Sequence, residues 1–248
     1  MFKQERIKEI IKNNFNTKPI FIKRLLTGLC HYVYHVQDIE KNDYIVRISD
    51  LKNRNTLRGS IFWINVLKNY NFPIPKILAE DINGEIPYLV LNYIPGDDLG
   101  NVYTELSEIS KMIIAKKMVI IQKGLENSIN SNKNRYGYLT SFEDNNFKNC
   151  WLEVIQEHIK RSRSRIANNL IFDGLYVDKV EEKINEYKEY LNKVRALPFF
   201  DDATTKNVLV KDGKLSGIID IDNICFGDKL YQIALTKMSL LSNNYDTN

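Results

Sequence analysis

The sequence lacks an apolar run that could cross a membrane: stretches such as Leu89–Leu91 and Ile218–Ile219 fall far short of the roughly 18 residues that a spanning helix needs. Cysteine is scarce, and the three cysteines are widely spaced and odd in number, which excludes a disulfide scaffold and matches no zinc motif. No apolar block follows the charged start of the chain, so we expect no signal peptide. We therefore expect a cytoplasmic protein with no membrane partner.

Neither sign of charge dominates the composition. Lys and Arg total 35 against 31 for Asp and Glu, and the basic residues are spread along the chain. The one basic cluster, residues 160–165, is either a solvated helix face or a patch for nucleic acid. A patch would need more charge and interleaved aromatic side chains, so the composition does not favour nucleic acid as a partner. The 248 residues correspond to one large domain or two modest ones.

Hydrophobic periodicity divides the chain into a strand-rich part and a helical part. Helical spacing of Ile7, Ile10 and Ile11 predicts an opening helix, and apolar residues from Leu57 to Leu67 predict one long helix. β-branched and aromatic runs between turn signals predict strands near 20–26, 31–38, 44–48, 77–80, 87–94 and within 198–220. Helices are predicted within 105–195 and at 229–241. Pro95-Gly96 breaks the pattern, so we predict a nucleotide-covering lobe at 1–95 and a catalytic, acceptor-binding lobe at 96–248.

Polar side chains that could carry chemistry surround a predicted hairpin near the end of the chain. Asp212-Gly213 lies between two apolar runs, which is a strong signal for a two-residue turn. A turn centred there would pair Asn207 with Ile218 and Asp220 with Thr205. Its open end would gather Asp202, Asn207 and Asp220. Such oxygen ligands suit Mg²⁺, and a carboxylate can accept a proton, although the same residues could form only a polar hairpin end.

The spacing Asp202-x-x-x-x-Asn207, followed by a hairpin and Ile219-Asp220, resembles the catalytic and metal loops of the aminoglycoside phosphotransferase and choline kinase superfamily. Other segments resemble the same family in the same order, over roughly residues 20–235. They are the turn Thr27–His31, the strand Tyr44–Ile48, the segment Pro87–Gly96 and Gly227-Asp228. The resemblance implies an α+β, two-lobed, protein-kinase-like fold. It has a small antiparallel sheet lobe with one long helix and a mainly helical C-terminal lobe.

The resemblance also implies an enzyme that moves the γ-phosphate of ATP or GTP to a hydroxyl group of a small molecule. Asp202 would be the base, and Asn207 and Asp220 would hold Mg²⁺. Arg47 would grip the phosphates, because a guanidinium stays charged and donates two parallel hydrogen bonds. The nucleotide would also contact two groups of residues: Thr27, Gly28, Leu29, Cys30 and His31 above the phosphates, and Asn92 and Ile94 at the adenine.

The residues themselves leave three assignments open. Lys206 either reaches the γ-phosphate as a further catalytic residue or is a solvated lysine. Asp201 is a second candidate base, and only the spacing to Asn207 selects Asp202. His31 is either structural or faces the phosphates.

The sequence departs from the pattern of the family at three points. Phe200 stands where the catalytic loop usually begins with histidine, and it could brace the loop by packing. Between Asp50 and Glu80 there is no acidic residue, and Ser60 occupies the place of the glutamate that usually holds the phosphate-gripping side chain. Either Arg47 is held another way or its grip is loosened. With the short C-terminus, these features leave a catalytically impaired nucleotide-binding regulatory protein, a pseudokinase, as the alternative.

Overall fold

The computed structural model describes residues 4–26, 31–129, 135–169 and 173–245. Its first part is an antiparallel sheet with two helices, and these elements have the following bounds: α1 (Gln4–Phe15), β1 (Pro19–Leu25), β2 (Tyr32–Asp38), β3 (Asp43–Ile48), α2 (Arg54–Leu67), β4 (Ile77–Asp81) and β5 (Tyr88–Asn92). The five strands lie in the order β1-β2-β3-β5-β4. Strand β3 is therefore the middle of the sheet, and its Arg47 reaches Asp220 and Asp222 in the second part of the chain.

The second part is mainly helical. Its helices are α3 (Leu99–Val102), α4 (Glu108–Ser128), α5 (Trp151–Asn169), α6 (Leu175–Glu186), α7 (Lys188–Lys193) and α8 (Leu230–Ser242). Its strands are β6 (Asp97–Asp98), β7 (Gly137–Leu139), β8 (Leu197–Phe199), β9 (Val208–Lys211), β10 (Lys214–Ile218) and β11 (Ile224–Gly227). They form two small sheets, β10-β9-β6 and β7-β11-β8. Within the described ranges no helix combines the length and the apolar character needed to cross a membrane.

The predicted fold class is confirmed, because an antiparallel sheet with one long helix precedes a mainly helical part. The opening helix and the five strands of the first sheet lie close to their predicted positions. Strands β6, β7 and β11 were missed, since segments of two to four residues are too short for periodicity to distinguish. The division at residues 95 and 96 stays a prediction.

Helix α2 joins two separate regions of apolar packing. Its Leu57 and Ile64 pack with residues of β5 in one cluster, whereas Trp63 and Leu67 belong to the large core of the helical part. The Trp63 indole N–H donates to the carbonyl of Leu139 at 2.6 Å. Truncation of a buried tryptophan typically costs about 3–5 kcal/mol, so this side chain is a strong attachment of α2 to the second part.

Candidate active site

The loop between β8 and β9 has a buried side and an exposed side. Phe200, Ala203 and Thr205 are buried, and Phe200 belongs to the main core. Asp202 and Lys206 are exposed. Phe200 thus packs inward, as expected of a side chain that braces the loop in place of a histidine, and Asp202 faces solvent.

Helix α8 holds the inner side of this loop. The hydroxyls of Ser239 and Thr205 lie 2.8 Å apart, and the Thr205 N–H donates to Ser239 Oγ at 3.4 Å. A buried polar group left without a partner costs about 1–3 kcal/mol, so these bonds favour one loop conformation. The loop is therefore held in place by α8 as well as by its own packing.

Asn207 is fixed by a bond to the loop that contains Asp202. Its side-chain amide donates to the backbone carbonyl of Asp202 at 2.9 Å, and its backbone N–H donates to the carbonyl of Thr204 at 3.1 Å. Because the amide nitrogen points at Asp202, the Oδ1 atom of Asn207 points away from that carbonyl. The orientation of this oxygen is therefore fixed by the loop that contains Asp202.

The hairpin turn forms as predicted. Asp212 and Gly213 have φ angles of 50° and 69°, the positive values that a two-residue turn of this kind requires. Lys211 and Lys214 pair across it.

The predicted register fails beyond the turn, because β10 contains a bulge. One extra residue on the bulged strand shifts all later pairs by one position. The expected pairing of Asn207 with Ile218 is therefore wrong, and instead the Ile219 N–H donates to the carbonyl of Asn207 at 2.9 Å. The expected pairing of Asp220 with Thr205 is wrong for the same reason, and β10 ends before Asp220.

Asp220 nevertheless follows the strand that is paired with Asn207. Its φ angle is 64°, a left-handed conformation that is uncommon for residues other than glycine and that costs about 1–3 kcal/mol. Its carboxylate accepts a hydrogen bond from Arg47 Nη2 at 3.1 Å. The two parts of the chain therefore meet at Asp220.

Arg47 is buried near the end of β3, and two further groups hold its guanidinium. Nη1 donates to Ser60 Oγ at 3.0 Å, and Nη2 lies 2.9 Å from the carboxylate of Asp222. The Ser60 hydroxyl in turn donates to Asp222. Ser60 thus faces Arg47, at the place on the helix where the family has its glutamate, but the acid comes from the loop after β10.

Asp222 is the residue that the sequence reasoning missed. A signal for it existed, since Asp222 is a second acid only two residues after the candidate metal ligand Asp220. His31 is also buried there, and its Nε2 lies 3.6 Å from Asp222 Oδ2. Of the two possibilities left open for Arg47, the structure shows that it is held another way.

The two carboxylates beside Arg47 differ in their ionisation. Although burial opposes it, the charge of Arg47, the nearby ring of His31 and the hydrogen bond from Ser60 lower the pKa of Asp222 to about 2. At Asp220, burial together with the charges of Asp222 and Asp202 outweighs Arg47, and its pKa is raised. Asp222 therefore neutralises Arg47, whereas the charged form of Asp220 would gain from a further cation.

The two neighbouring acids of the catalytic loop also differ. Burial, followed by the charge of Asp202, raises the pKa of Asp201 to about 7. Asp201 lies near Tyr138, Tyr231 and Cys225, and its charge therefore contributes to the raised pKa values of these three side chains. Partial burial also raises the pKa of Asp202, although Asp202 is more exposed to solvent than Asp201.

Lys206 lies on the exposed side of the same loop. Its charge acts on two acids, since it opposes the upward pKa shifts of both Asp202 and Asp98. This places an exposed cation beside the candidate base.

The residues expected to contact a nucleotide are described only in part. Thr27, Gly28, Leu29 and Cys30 lie outside the described residues. His31 is buried, with its Nε2 3.6 Å from Asp222, and its role stays a prediction.

The segment expected to meet the adenine follows β5. The Asn92 N–H donates to the carbonyl of Lys76 at 3.1 Å, and its side chain accepts from the Lys76 N–H at 2.6 Å. An adenine contact here would therefore need other backbone groups. Ile94 is half-buried over Gly217, where an added Cβ would lie 2.8 Å from its side chain.

The donor set near Asp202 fits a magnesium ion that also binds phosphate. Among the residues that the structure describes, no three His, Cys, Asp or Glu side chains are grouped so that they could hold a metal alone. Mg²⁺, however, is usually held by one or two carboxylates together with phosphate oxygens of the substrate. The oriented Oδ1 of Asn207 and the carboxylate of Asp220 match that requirement.

A sheet lobe joined to a helical part, with an Asp–Asn pair on a loop and a further Asp after a hairpin, defines the class of kinase-like phosphotransferases. The chain matches the model of the phosphotransferase enzyme family over residues 22–247, and it belongs to that family. No curated protein matches the chain.

Solved structures of aminoglycoside phosphotransferases share the fold. The gentamicin complex of APH(2")-IIa has a TM-score of 0.69 at 16% identity. The match covers 99% of the present chain and 83% of the chain in that complex. A GDP complex of an aminoglycoside 2'-phosphotransferase-IIIa variant has a TM-score of 0.70 at 14% identity, covering 98% and 78%. A thermostable APH(4)-Ia mutant with AMP-PNP and hygromycin B has a TM-score of 0.67 at 16% identity. The match covers 92% of the present chain and 75% of that structure's chain.

Proposed function

We propose that the protein is an enzyme that transfers the γ-phosphate of ATP or GTP to a hydroxyl group of a small molecule. The observation that carries the proposal is that Asp202, Asn207 and Asp220 lie together at one end of a hairpin, with Arg47 reaching Asp220 from the sheet. Phosphoryl transfer depends mainly on positioning and on neutralised charge, and these side chains supply both.

In this proposal Asp202 is the general base. The acceptor oxygen bonds to the γ-phosphorus while the bond from that phosphorus to the oxygen bridging the β-phosphate breaks, and Asp202 takes the hydroxyl proton. Its exposure gives an acceptor access, and its raised pKa brings it closer to the operating pH, which favours proton transfer. Lys206, on the same exposed side, would neutralise charge on the transferred group.

Arg47 would bind the phosphates of the nucleotide. Its guanidinium can donate to two phosphate oxygens at once and stays charged at any working pH. The turn of residues 27–31 would cover the phosphates with backbone N–H groups, and backbone groups of the segment around Asn92 and Ile94 would bind the adenine.

Asn207 and Asp220 would hold Mg²⁺. When bound, the ion would bridge the phosphates and neutralise the charge that develops during transfer. The raised pKa of Asp220 supports this assignment, because a carboxylate crowded by other acids gains most from a cation.

The acceptor is proposed only as a hydroxylated small molecule. Two of the similar structures contain a bound aminoglycoside, but at 16% identity this does not transfer to the present chain. The region 105–195 contains both acidic and basic residues, whereas polycationic aminoglycosides call for a cleft rich in carboxylates.

The sparse, unpatterned cysteines favour a reducing compartment, and we propose the cytoplasm as the location of the protein.

A thermal-shift screen with ATP and GTP, with and without Mg²⁺, tests the donor. A panel of hydroxylated metabolites and aminoglycosides, scored by nucleotide turnover, then tests transfer. We expect metal-dependent stabilisation and turnover with at least one acceptor. Binding without turnover, unchanged in Asp202→Asn, would instead support the pseudokinase alternative.

A further inference from the structure

The anchor of Arg47 is the feature that the proposed function leaves unexplained. Arg47 lies in the strand from which the phosphates would be bound, but helix α2 has only Ser60 to offer it. We infer that Asp222 is a positioning residue that replaces a helix acid and holds Arg47 in place from the loop after β10. The inference rests on the proposed function, since Arg47 needs positioning only if it binds phosphates.

The contacts of Asp222 are those of an anchor. Its side chain is 13% exposed, and its carboxylate lies 2.9 Å from Arg47 Nη2. The Ser60 hydroxyl donates to the same carboxylate and also accepts from Arg47 Nη1, so the three groups form a closed triangle. The ring of His31 lies on the other side at 3.6 Å. Hydrogen bonds between charged groups in such a water-poor place are the strong ones.

Two small residues on α2 make this arrangement possible. A Cβ at Gly59 would lie 2.0 Å from the carbonyl oxygen of Asp222, so only glycine allows the loop to approach the helix this closely. Glycine inside a helix is unfavourable relative to alanine, and here the close contact accounts for it. Ser60, fully buried next to it, leaves room for the incoming carboxylate. The loop therefore brings its own acid to a helix that lacks one.

Asp222 also separates two tasks that would otherwise fall on one acid. Arg47 donates to both Asp220 and Asp222. In the proposed function Asp220 turns to the metal ion, and Asp222 would then keep Arg47 in position. Without Asp222, Arg47 would have Asp220 as its one carboxylate partner among the described contacts, and it would compete with the ion.

The first test compares Asp222→Asn with wild type. We expect kcat/KM for the nucleotide to fall by roughly tenfold to a hundredfold, which corresponds to one charge-assisted hydrogen bond. The Mg²⁺ concentration needed for half-maximal binding of a non-hydrolysable nucleotide analogue should rise, which a loss of general stability would not cause. Asp178→Asn is the matched control, because it breaks an Arg–Asp pair (with Arg163, at 2.8 Å) on the surface of α5 and α6. It should leave both quantities unchanged.

The second test returns the charge to the helix. Ser60→Glu adds as many heavy atoms as Asp222→Ala removes, so the double variant places a carboxylate near the same point from the other element. It should recover part of the kcat/KM that Asp222→Ala loses. Ser60→Glu alone should lose activity, since it crowds another acid against Asp222 and Asp220.

The outcomes separate the inference from the proposed function. A wild-type protein that neither binds Mg-nucleotide nor turns it over overturns the proposed function and this inference with it. Two results with an active wild type overturn the inference alone. One is that Asp222→Asn is as active as wild type. The other is that a folded Ser60→Glu, Asp222→Ala double variant recovers none of the lost kcat/KM. If Asp222→Asn does not fold, Ser60→Ala decides: it keeps the Arg47–Asp222 pair, and we expect a loss of about threefold to tenfold. Unchanged kcat/KM in Ser60→Ala would contradict the triangle.

Discussion

Replacing Asp202 with asparagine should abolish transfer while nucleotide binding stays almost unchanged. The substitution removes the proton acceptor but keeps the backbone carbonyl to which Asn207 donates, so the amide oxygen proposed to hold Mg²⁺ remains oriented. Loss of a general base typically costs about 10²–10⁴ in rate, or roughly 2.7–5.5 kcal/mol of transition-state stabilisation. We expect this loss in kcat, with the dissociation constant of Mg-nucleotide within about threefold of wild type.

Asp201→Asn is the matched comparison, because the two acids are adjacent. Asp201 is half-buried near two tyrosines and a cysteine, away from the exposed side of the loop, so its kcat should fall by less than about tenfold. Nucleotide turnover measured by product release, and binding measured by calorimetry, separate the two effects. Equal losses in both variants, or a larger loss in Asp201→Asn, would refute the assignment of Asp202 as base.

The stability of Asp201→Asn at different pH values is an independent test of the raised pKa of Asp201. The pKa of Asp201 is raised to about 7 in the folded state from about 3.9 in an unfolded chain, so the folded state binds more protons between these values. Wild-type stability therefore falls as pH rises from about 4 to 7 and is constant above, by about 4 kcal/mol at most. Asp201→Asn removes this loss, so the difference in Tm, variant minus wild type, should grow over that window. A constant difference would show that Asp201 is ionised normally.

Three further substitutions test other parts of the site. Asp220→Ala should lose the Mg-dependent stabilisation by nucleotide, which in wild type should reach about 2.7 kcal/mol at a hundred times the dissociation constant; equal thermal shifts would remove Asp220 from the metal site. Arg47→Lys should lower kcat/KM for nucleotide by roughly tenfold to a hundredfold although the charge is kept, and an unchanged value would remove Arg47 from phosphate binding. Phe200→Ala should lower the free energy of unfolding by about 3–5 kcal/mol in urea titrations, because the side chain is buried in the main core. A loss below about 1 kcal/mol would contradict its role as a packed brace.

Local patterns were sufficient to predict the strands of the first sheet and the turn at Asp212-Gly213, because alternation and positive φ are properties of a few adjacent residues. The step from Asp202 to Asn207 was also visible, since one short loop contains both. The register of β10 was not predictable, because a bulge has no fixed residue signature and depends on how the two strands twist together.

The partner of Arg47 illustrates a different kind of failure. Counting acids along α2 correctly showed that the helix offers none, and it correctly placed Ser60 opposite Arg47. The compensating acid, Asp222, lies 175 residues after Arg47 in the sequence, so no local pattern connects them. The half-burial of Asp201 is equally a property of the packed loop rather than of the residues beside it.

Helix α2 is attached to both parts of the protein by hydrogen bonds as well as by apolar packing. On the side of the second part, the Trp63 indole donates to Leu139 and the Ser60 hydroxyl donates to Asp222. On the side of the sheet, Arg47 donates to Ser60, and Arg54 donates to the carbonyl of Gly84 in the turn between β4 and β5. Packed apolar faces can shift by small steps, whereas hydrogen-bonded contacts must break. A movement of the sheet relative to the catalytic loop would therefore break bonds on one side of α2 or the other, so we expect the helix to hold the two parts in one arrangement.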